Sequence, residues 1–179
     1  MNLINKKIIV LFSFTSFFII NSCSAQEGNQ KIHWMSFEEA VKKNETVKKK
    51  IFIDIYTHWC GWCKRMDAGT FMVDSIANYM NEKFYAVKLD AETKDSIHFK
   101  DKVFGFRPEY KSNEFAVSLL NGQMSYPTFV FLDENVNMLS PLPGYQTPEQ
   151  LSPVLKFYGE DIYKTKKWDE YSGTGRGAK

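Results

Sequence analysis

The sequence predicts one α/β domain built on a central β-sheet with helices on both faces. Three observations predict it. Ile51-Phe52-Ile53-Asp54-Ile55-Tyr56 and Thr128-Phe129-Val130-Phe131-Leu132 are short, β-branched and aromatic, with apolar residues on both faces, as in strands covered on both sides. The stretches between them carry helix-start signals. A Cys-x-x-Cys motif, Cys60-Gly61-Trp62-Cys63, falls where the first run gives way to a helix, inside a β-α-β unit that residues 84–89 complete.

Each element follows in order. Ser36-Phe37-Glu38-Glu39 has capping-box spacing and opens a helix to about Asn44. The basic stretch Lys48-Lys49-Lys50 precedes the first strand. Residues 64–83 have helical character, with a kink or restart marked by Gly69 and Asp74. Residues 93–112 alternate only partly and read as a weak hairpin, with a turn at Lys100-Asp101-Lys102. A helix from Asn113 to about Leu120 closes at Asn121-Gly122. The strong strand 128–132, a turn at 133–137 and a last strand near 138–142 come next. Thr147-Pro148-Glu149-Gln150 starts a final helix, with Thr as cap and Pro in the first turn, that ends near Gly159. The tail carries Tyr163, Trp168 and Tyr171, then a Gly-rich end.

Composition bounds the function. The chain has 179 residues, 44% hydrophobic and 16% aromatic, enough for a packed core in one domain. Residues 1–25 read as a signal peptide: the positive start holds Lys6 and Lys7, and residues 8–20 form an apolar run too short to span a bilayer, which needs about 20 residues. The alternative is a core helix at the chain start. Ala25 suits one cleavage site. Ile20-Asn21-Ser22-Cys23 loosely matches a lipobox, in which Cys23 would be lipidated and anchor the protein to a membrane. Without Lys6 and Lys7 the chain carries 21 basic and 21 acidic residues, so no global field draws it to nucleic acid.

The Cys-x-x-Cys spacing lets a disulfide close a tight ring at a helix N-terminus, where free N–H groups and the helix dipole favour thiolate over thiol. Cys60 is then the nucleophile on a substrate disulfide and Cys63 the resolving thiol. Two alternatives remain at this point. Half a zinc site is one, but Cys23, His33, His58 and His98 supply no second pair at ligand spacing. A structural staple is the other, but it would close only a four-residue loop. No metal and no other cofactor is expected.

The run Ile53-Asp54-Ile55-Tyr56-Thr57-His58-Trp59-Cys60-Gly61-Trp62-Cys63-Lys64 resembles the active-site strand and motif of thioredoxins. It is more similar still to exported thioredoxin-like proteins that carry Met-Asp and Thr-Phe downstream, here Met66-Asp67 and Thr70-Phe71, a group similar to the reductant domains of bacterial thiol:disulfide interchange proteins. The likeness covers about residues 35–158. It implies a thioredoxin fold over 31–158 with a central mixed sheet, an insertion at about 93–112 before the cis-proline segment, and a C-terminal extension from 159. It implies further that Asp54 is the buried acid that takes the Cys63 proton, Lys88 its partner, and Tyr126-Pro127-Thr128 the cis-proline segment that binds peptide backbone. Trp59, Gly61 and Trp62 would complete the substrate-binding surface, with Trp59 a platform beside the sulfurs or a core residue. A structural Asp54–Lys88 pair and a trans Pro127 are the plain alternatives. Trp62 stands where common thioredoxins have proline.

The implied activity is exchange with disulfide-containing proteins in the periplasm, in the reducing direction. A membrane thiol–disulfide donor would then restore the dithiol, since an oxidising compartment supplies no thiol pool. A disulfide oxidase or isomerase of the same fold, and a non-catalytic peptide-binding module, stay open. Phe99, Phe104, Phe106 and Tyr110 are expected to cover the sheet edge, and the insertion to shape the groove near Pro127.

Overall fold

The computed structural model describes residues 31–173. The signal-peptide reading of residues 1–25, and Cys23 with it, lies outside the described residues. In chain order the elements are β1 (Trp34–Met35), α1 (Phe37–Thr46), β2 (Lys50–Tyr56), α2 (Gly61–Ala68), α3 (Asp74–Lys83), β3 (Phe84–Asp90), β4 (Ile97–Phe99), β5 (Lys102–Phe104), β6 (Phe106–Arg107), β7 (Ser112–Asn113), α4 (Glu114–Leu119), β8 (Thr128–Leu132), β9 (Met138–Pro143), α5 (Pro148–Gly159) and α6 (Trp168–Ser172). The main sheet has the order β1-β3-β2-β8-β9. β2 pairs parallel with β3 and antiparallel with β8, so the sheet is mixed.

β2 is central because both its faces can be buried. Ile51, Ile53 and Ile55 face α1 and α4, packing with Phe37, Ala40, Phe115 and Ala116. Phe52 points the other way, to Met66, Phe71, Met80 and Leu151 under α2, α3 and α5, and stacks on Phe129 at 5.4 Å. Burying such a side chain stabilises by about 1.5–3 kcal/mol. The strand's period of two puts Asp54 on the Phe52 face, beneath α2.

Local signals set the helix ends. The Ser36 hydroxyl accepts the Glu39 N–H, but the Glu39 carboxylate pairs with Lys43 one turn on, so only half of the capping box forms. The helical stretch after the cysteines breaks at Gly69, where a Cβ would lie 3.0 Å from the Arg65 carbonyl. One 3-10 turn over Thr70–Met72 leads into α3. α5 starts with a full capping box between Thr147 and Gln150. β1 escapes sequence reading: Trp34 and Met35 pair parallel with Ala86 and Val87, and the Trp34 ring lies 5.0 Å from Phe71.

The segment between β3 and α4 folds as two short hairpins, β4–β5 and β6–β7. Its aromatics correct one expectation. Phe99 and Phe104 do not cover the sheet edge; they pack on Phe37 of α1 and Phe115 of α4, at 5.1 and 5.2 Å. Tyr110 is exposed. Buried Asn113 ties the segment down, donating to the Asp95 carbonyl and capping α4 through the Phe115 N–H. The chain after Gly159 also packs on the domain, with Trp168 and Tyr171 against Phe157 at 5.3 and 5.4 Å.

Candidate active site

Cys60 is the N-cap of α2, and its sulfur is joined to that of Cys63, one turn inside the helix. The Cys63 N–H points at the Cys60 sulfur at 3.0 Å. Free donors at a helix start therefore face the outer sulfur, as the spacing predicts. Cys60 and Cys63 are both buried, with Cys63 the deeper. Gly61 has open space where a side chain would stand, so the ridge between the cysteines is uncovered.

The two tryptophans flank this ridge in solvent. Trp59 is 66% exposed and Trp62 55%, which rules out a core role for Trp59. The Trp59 indole N–H donates to Glu92 Oε1 at 2.9 Å, and its ring meets Tyr126 edge-on at 5.8 Å. Trp62 packs on Tyr145, just before α5, at 5.3 Å. His58 extends into solvent beside Asp90, 3.3 Å away.

The Tyr126–Pro127 peptide bond is cis. The Pro127 carbonyl accepts the Gly144 N–H, but neither the N–H nor the carbonyl of Tyr126 has a partner among the described residues. Thr128 sits differently from its neighbours. It is buried, and its hydroxyl donates to the Ser125 carbonyl, which braces the turn.

Asp54 and Lys88 are register partners on β2 and β3, and the Lys88 ammonium stands 2.7 Å from Asp54 Oδ2. Asp54 is fully buried, and among the described residues the Lys88 ammonium is the donor that reaches its carboxylate. Burial pushes its carboxyl up to about 6, against the pull of Lys88. Burial pulls the Lys88 ammonium down, but Asp54 and Asp67 outweigh it and the net shift is upward. Asp67 of α2 holds the same ammonium from the other side. The rings of Trp34, Tyr56 and Phe71 surround it at 5.1, 4.9 and 5.6 Å. In the sequence Asp67 and Phe71 are motif residues without a role, and Glu92 and Tyr145 belong to no motif. A carboxylate four residues past Cys63, hence on the same helix face, was the available signal for Asp67.

A mixed sheet, a cysteine pair capping the helix after its central strand, a buried acid on that strand and a cis-proline before the next define a thioredoxin-fold protein with a redox-type cysteine pair. The chain belongs to the Thioredox_DsbH family, described as "Protein of unknown function, DUF255", whose model matches residues 20–150. Among solved structures, a candidate disulphide-isomerase from Bacteroides thetaiotaomicron is 28% identical, with a TM-score of 0.53 over 80% of this chain and 100% of that one. A thioredoxin-fold protein from Helicobacter pylori (20% identity, TM-score 0.54, 83% and 85% covered) and a DsbH oxidoreductase (19%, 0.51, 74% and 86%) share the fold. An uncharacterized protein of Caenorhabditis elegans is 28% identical over 135 residues, 74% of this chain; the chain spans 16% of that relative's length.

Proposed function

We propose that the chain is a protein thiol–disulfide oxidoreductase that works in the reducing direction outside the cytoplasm. The observation that carries the reading is the Cys60–Cys63 disulfide at the α2 N-terminus, above a buried carboxyl raised to about 6. In the dithiol form, the Cys60 thiolate attacks one sulfur of a substrate disulfide. A mixed disulfide forms and one substrate thiolate leaves. Asp54 accepts the Cys63 proton, and the Cys63 thiolate attacks the Cys60 sulfur. The second substrate thiolate leaves, two electrons have passed to the substrate, and the protein holds the disulfide. The unpaired N–H and carbonyl of Tyr126 suit a substrate backbone laid beside Trp59. A dithiol donor at the membrane would restore the pair. Residues 1–25, read as an export signal, and Cys23, read as a lipidation site, support work at a membrane surface.

A second reading, disulfide isomerisation, is favoured by the likeness to the candidate disulphide-isomerase. Equilibration with glutathione, followed by Trp59 and Trp62 fluorescence, separates the two. Thioredoxin-fold proteins span about −270 to −120 mV. A potential near the lower end, with insulin reduction abolished in Cys60→Ser, supports the reductant; a value well above about −200 mV sinks it.

A further inference from the structure

The two sides of the disulfide ridge carry different charges. On the Trp59 side the surface pocket is lined by His58, Asp90, Glu92, Lys94, Phe106 and Lys111, so both signs are present. On the Trp62 side a cation is held against aromatic faces. The Arg65 guanidinium lies over the Trp62 ring at 5.5 Å and over Tyr145 at 5.9 Å. Lys64 stands beside it on α2, exposed like Arg65. Among the described residues no carboxylate forms an ion pair with either. Arg65 is therefore held in place by aromatic faces, with its donors free, next to the residue between the two cysteines. A planar guanidinium fixed in this way offers two parallel donors to a carboxylate.

We propose that the Trp62–Arg65–Tyr145 cluster is a specificity subsite that selects disulfide substrates with an acidic side chain next to the reacting cysteine. The proposal rests on the redox reading above and adds the substrate class to it. The Trp62 and Tyr145 rings take the apolar part of the flanking residue, and Arg65, with Lys64 behind it, takes the carboxylate. The mixed-sign Trp59 side gives no comparable charge preference.

The test uses two synthetic disulfide peptides of one framework, with Glu or with Lys flanking each cysteine, and the dithiol form of the full chain. The second-order rate constant for each is read from tryptophan fluorescence. At low salt the Glu peptide should react about fivefold faster, the scale of one exposed, oriented charge pair. The ratio should fall towards one at about 1 M salt, where the Debye length is about 3 Å. Arg65→Glu should invert the preference and Arg65→Lys keep part of it, while Lys102→Glu, the same charge change on the β4–β5 hairpin, leaves it alone. Equal rates at low salt, or a ratio that Arg65→Glu does not move, overturn the subsite and leave the redox reading standing. Binding of serine analogues of the two peptides, followed by Trp62 fluorescence, gives the converse arm. If neither disulfide reacts but the acidic analogue binds more tightly, the redox reading fails and the subsite holds; no reaction and no binding preference overturn both.

Discussion

The central strand carries two lysine–carboxylate clusters of similar composition and opposite meaning. At the start of β2, Lys50 is held by Glu134 at 2.6 Å and Asp161 at 2.8 Å, with the Tyr163 ring at 5.9 Å. Towards the other end, Lys88 on β3 is held by Asp54 and Asp67 among three rings. In the first cluster the lysine is the buried member, with 6% of its side chain exposed, and its carboxylates reach solvent. Burial alone would raise Asp161, but Lys50 and Lys164 hold its carboxyl below the usual range. In the second the buried member is a carboxylate that, among the described residues, only a lysine meets, and its carboxyl is raised. The first cluster clamps the C-terminal segment to the sheet. The second keeps a proton acceptor in a state that is costly to ionise. Which partner the fold takes out of water decides the difference.

The largest contrast should come from Asp54→Asn. A carboxyl raised from 3.8 to about 6 favours folding fully below its unfolded value, and that contribution is lost as pH rises through about 6. Replacement with Asn should therefore stabilise the disulfide form at pH 8 by up to about 3 kcal/mol, and by little below pH 4. The same variant should resolve the mixed disulfide about 10²-fold more slowly, as general-base removal predicts. Denaturant titrations at several pH values read the first effect and single-turnover kinetics the second. A variant that is less stable at pH 8 would mean that Asp54 is a structural partner of Lys88.

The Lys50 cluster should answer in the opposite sense. Glu134→Gln with Asp161→Asn leaves a buried ammonium without a counter-charge and should lose about 2–3 kcal/mol, less than for a fully buried pair because both carboxylates reach solvent. The clamp depends on a carboxylate held low, so the wild-type advantage should be present near neutral pH and fade as pH falls below about 4. Exchange rates at Cys60 should not change. A slowed exchange would show that the clamp and the redox site are coupled through β2.

These clusters differ as much in how readable they were. Asp54 stood out because it is one charge in an apolar run, and such a run can be buried on both faces only as a central strand. The strands β2, β3 and β8 and both ends of α5 were legible for the same local reasons: continuous apolar runs, and a Thr-Pro start. The Lys50 cluster was not legible. Lys48-Lys49-Lys50 reads only as a basic stretch before the strand; Lys50 alone of the three is buried, and its partner Glu134 lies 84 residues away. β1, β6 and β7 have two residues each, too short for any alternation to register. Of the site, the cysteines came from the Cys-x-x-Cys motif, and Asp54, Lys88 and Pro127 from the resemblance to thioredoxins. Glu92 and Tyr145 are loop residues that meet Trp59 and Trp62 only in the folded chain, and no local pattern announces that.

The smallest expected effect sharpens the contrast most. Asp67 acts on Asp54 in two ways: its own charge raises the Asp54 carboxyl, and it shares the Lys88 ammonium that would otherwise lower it. Asp90 and Tyr56 lie nearby, on β3 and β2, but Asp67 is the carboxylate that touches Lys88 from α2. Asp67→Asn should therefore lower the Asp54 carboxyl from about 6, because one charge is removed and the whole of Lys88 is released to the other. Asp67 is 46% exposed, so solvent screens it and the change should be about 0.5–1 kcal/mol, less than twofold in rate near pH 6 and about two- to fivefold well below it. The pH profile of mixed-disulfide resolution should move to lower pH with its height little altered, and the extra stability that Asp54→Asn gives at pH 8 should shrink in the Asp67→Asn background. A profile that stays in place would mean that Lys88 is shared without consequence, and that burial alone sets the Asp54 carboxyl.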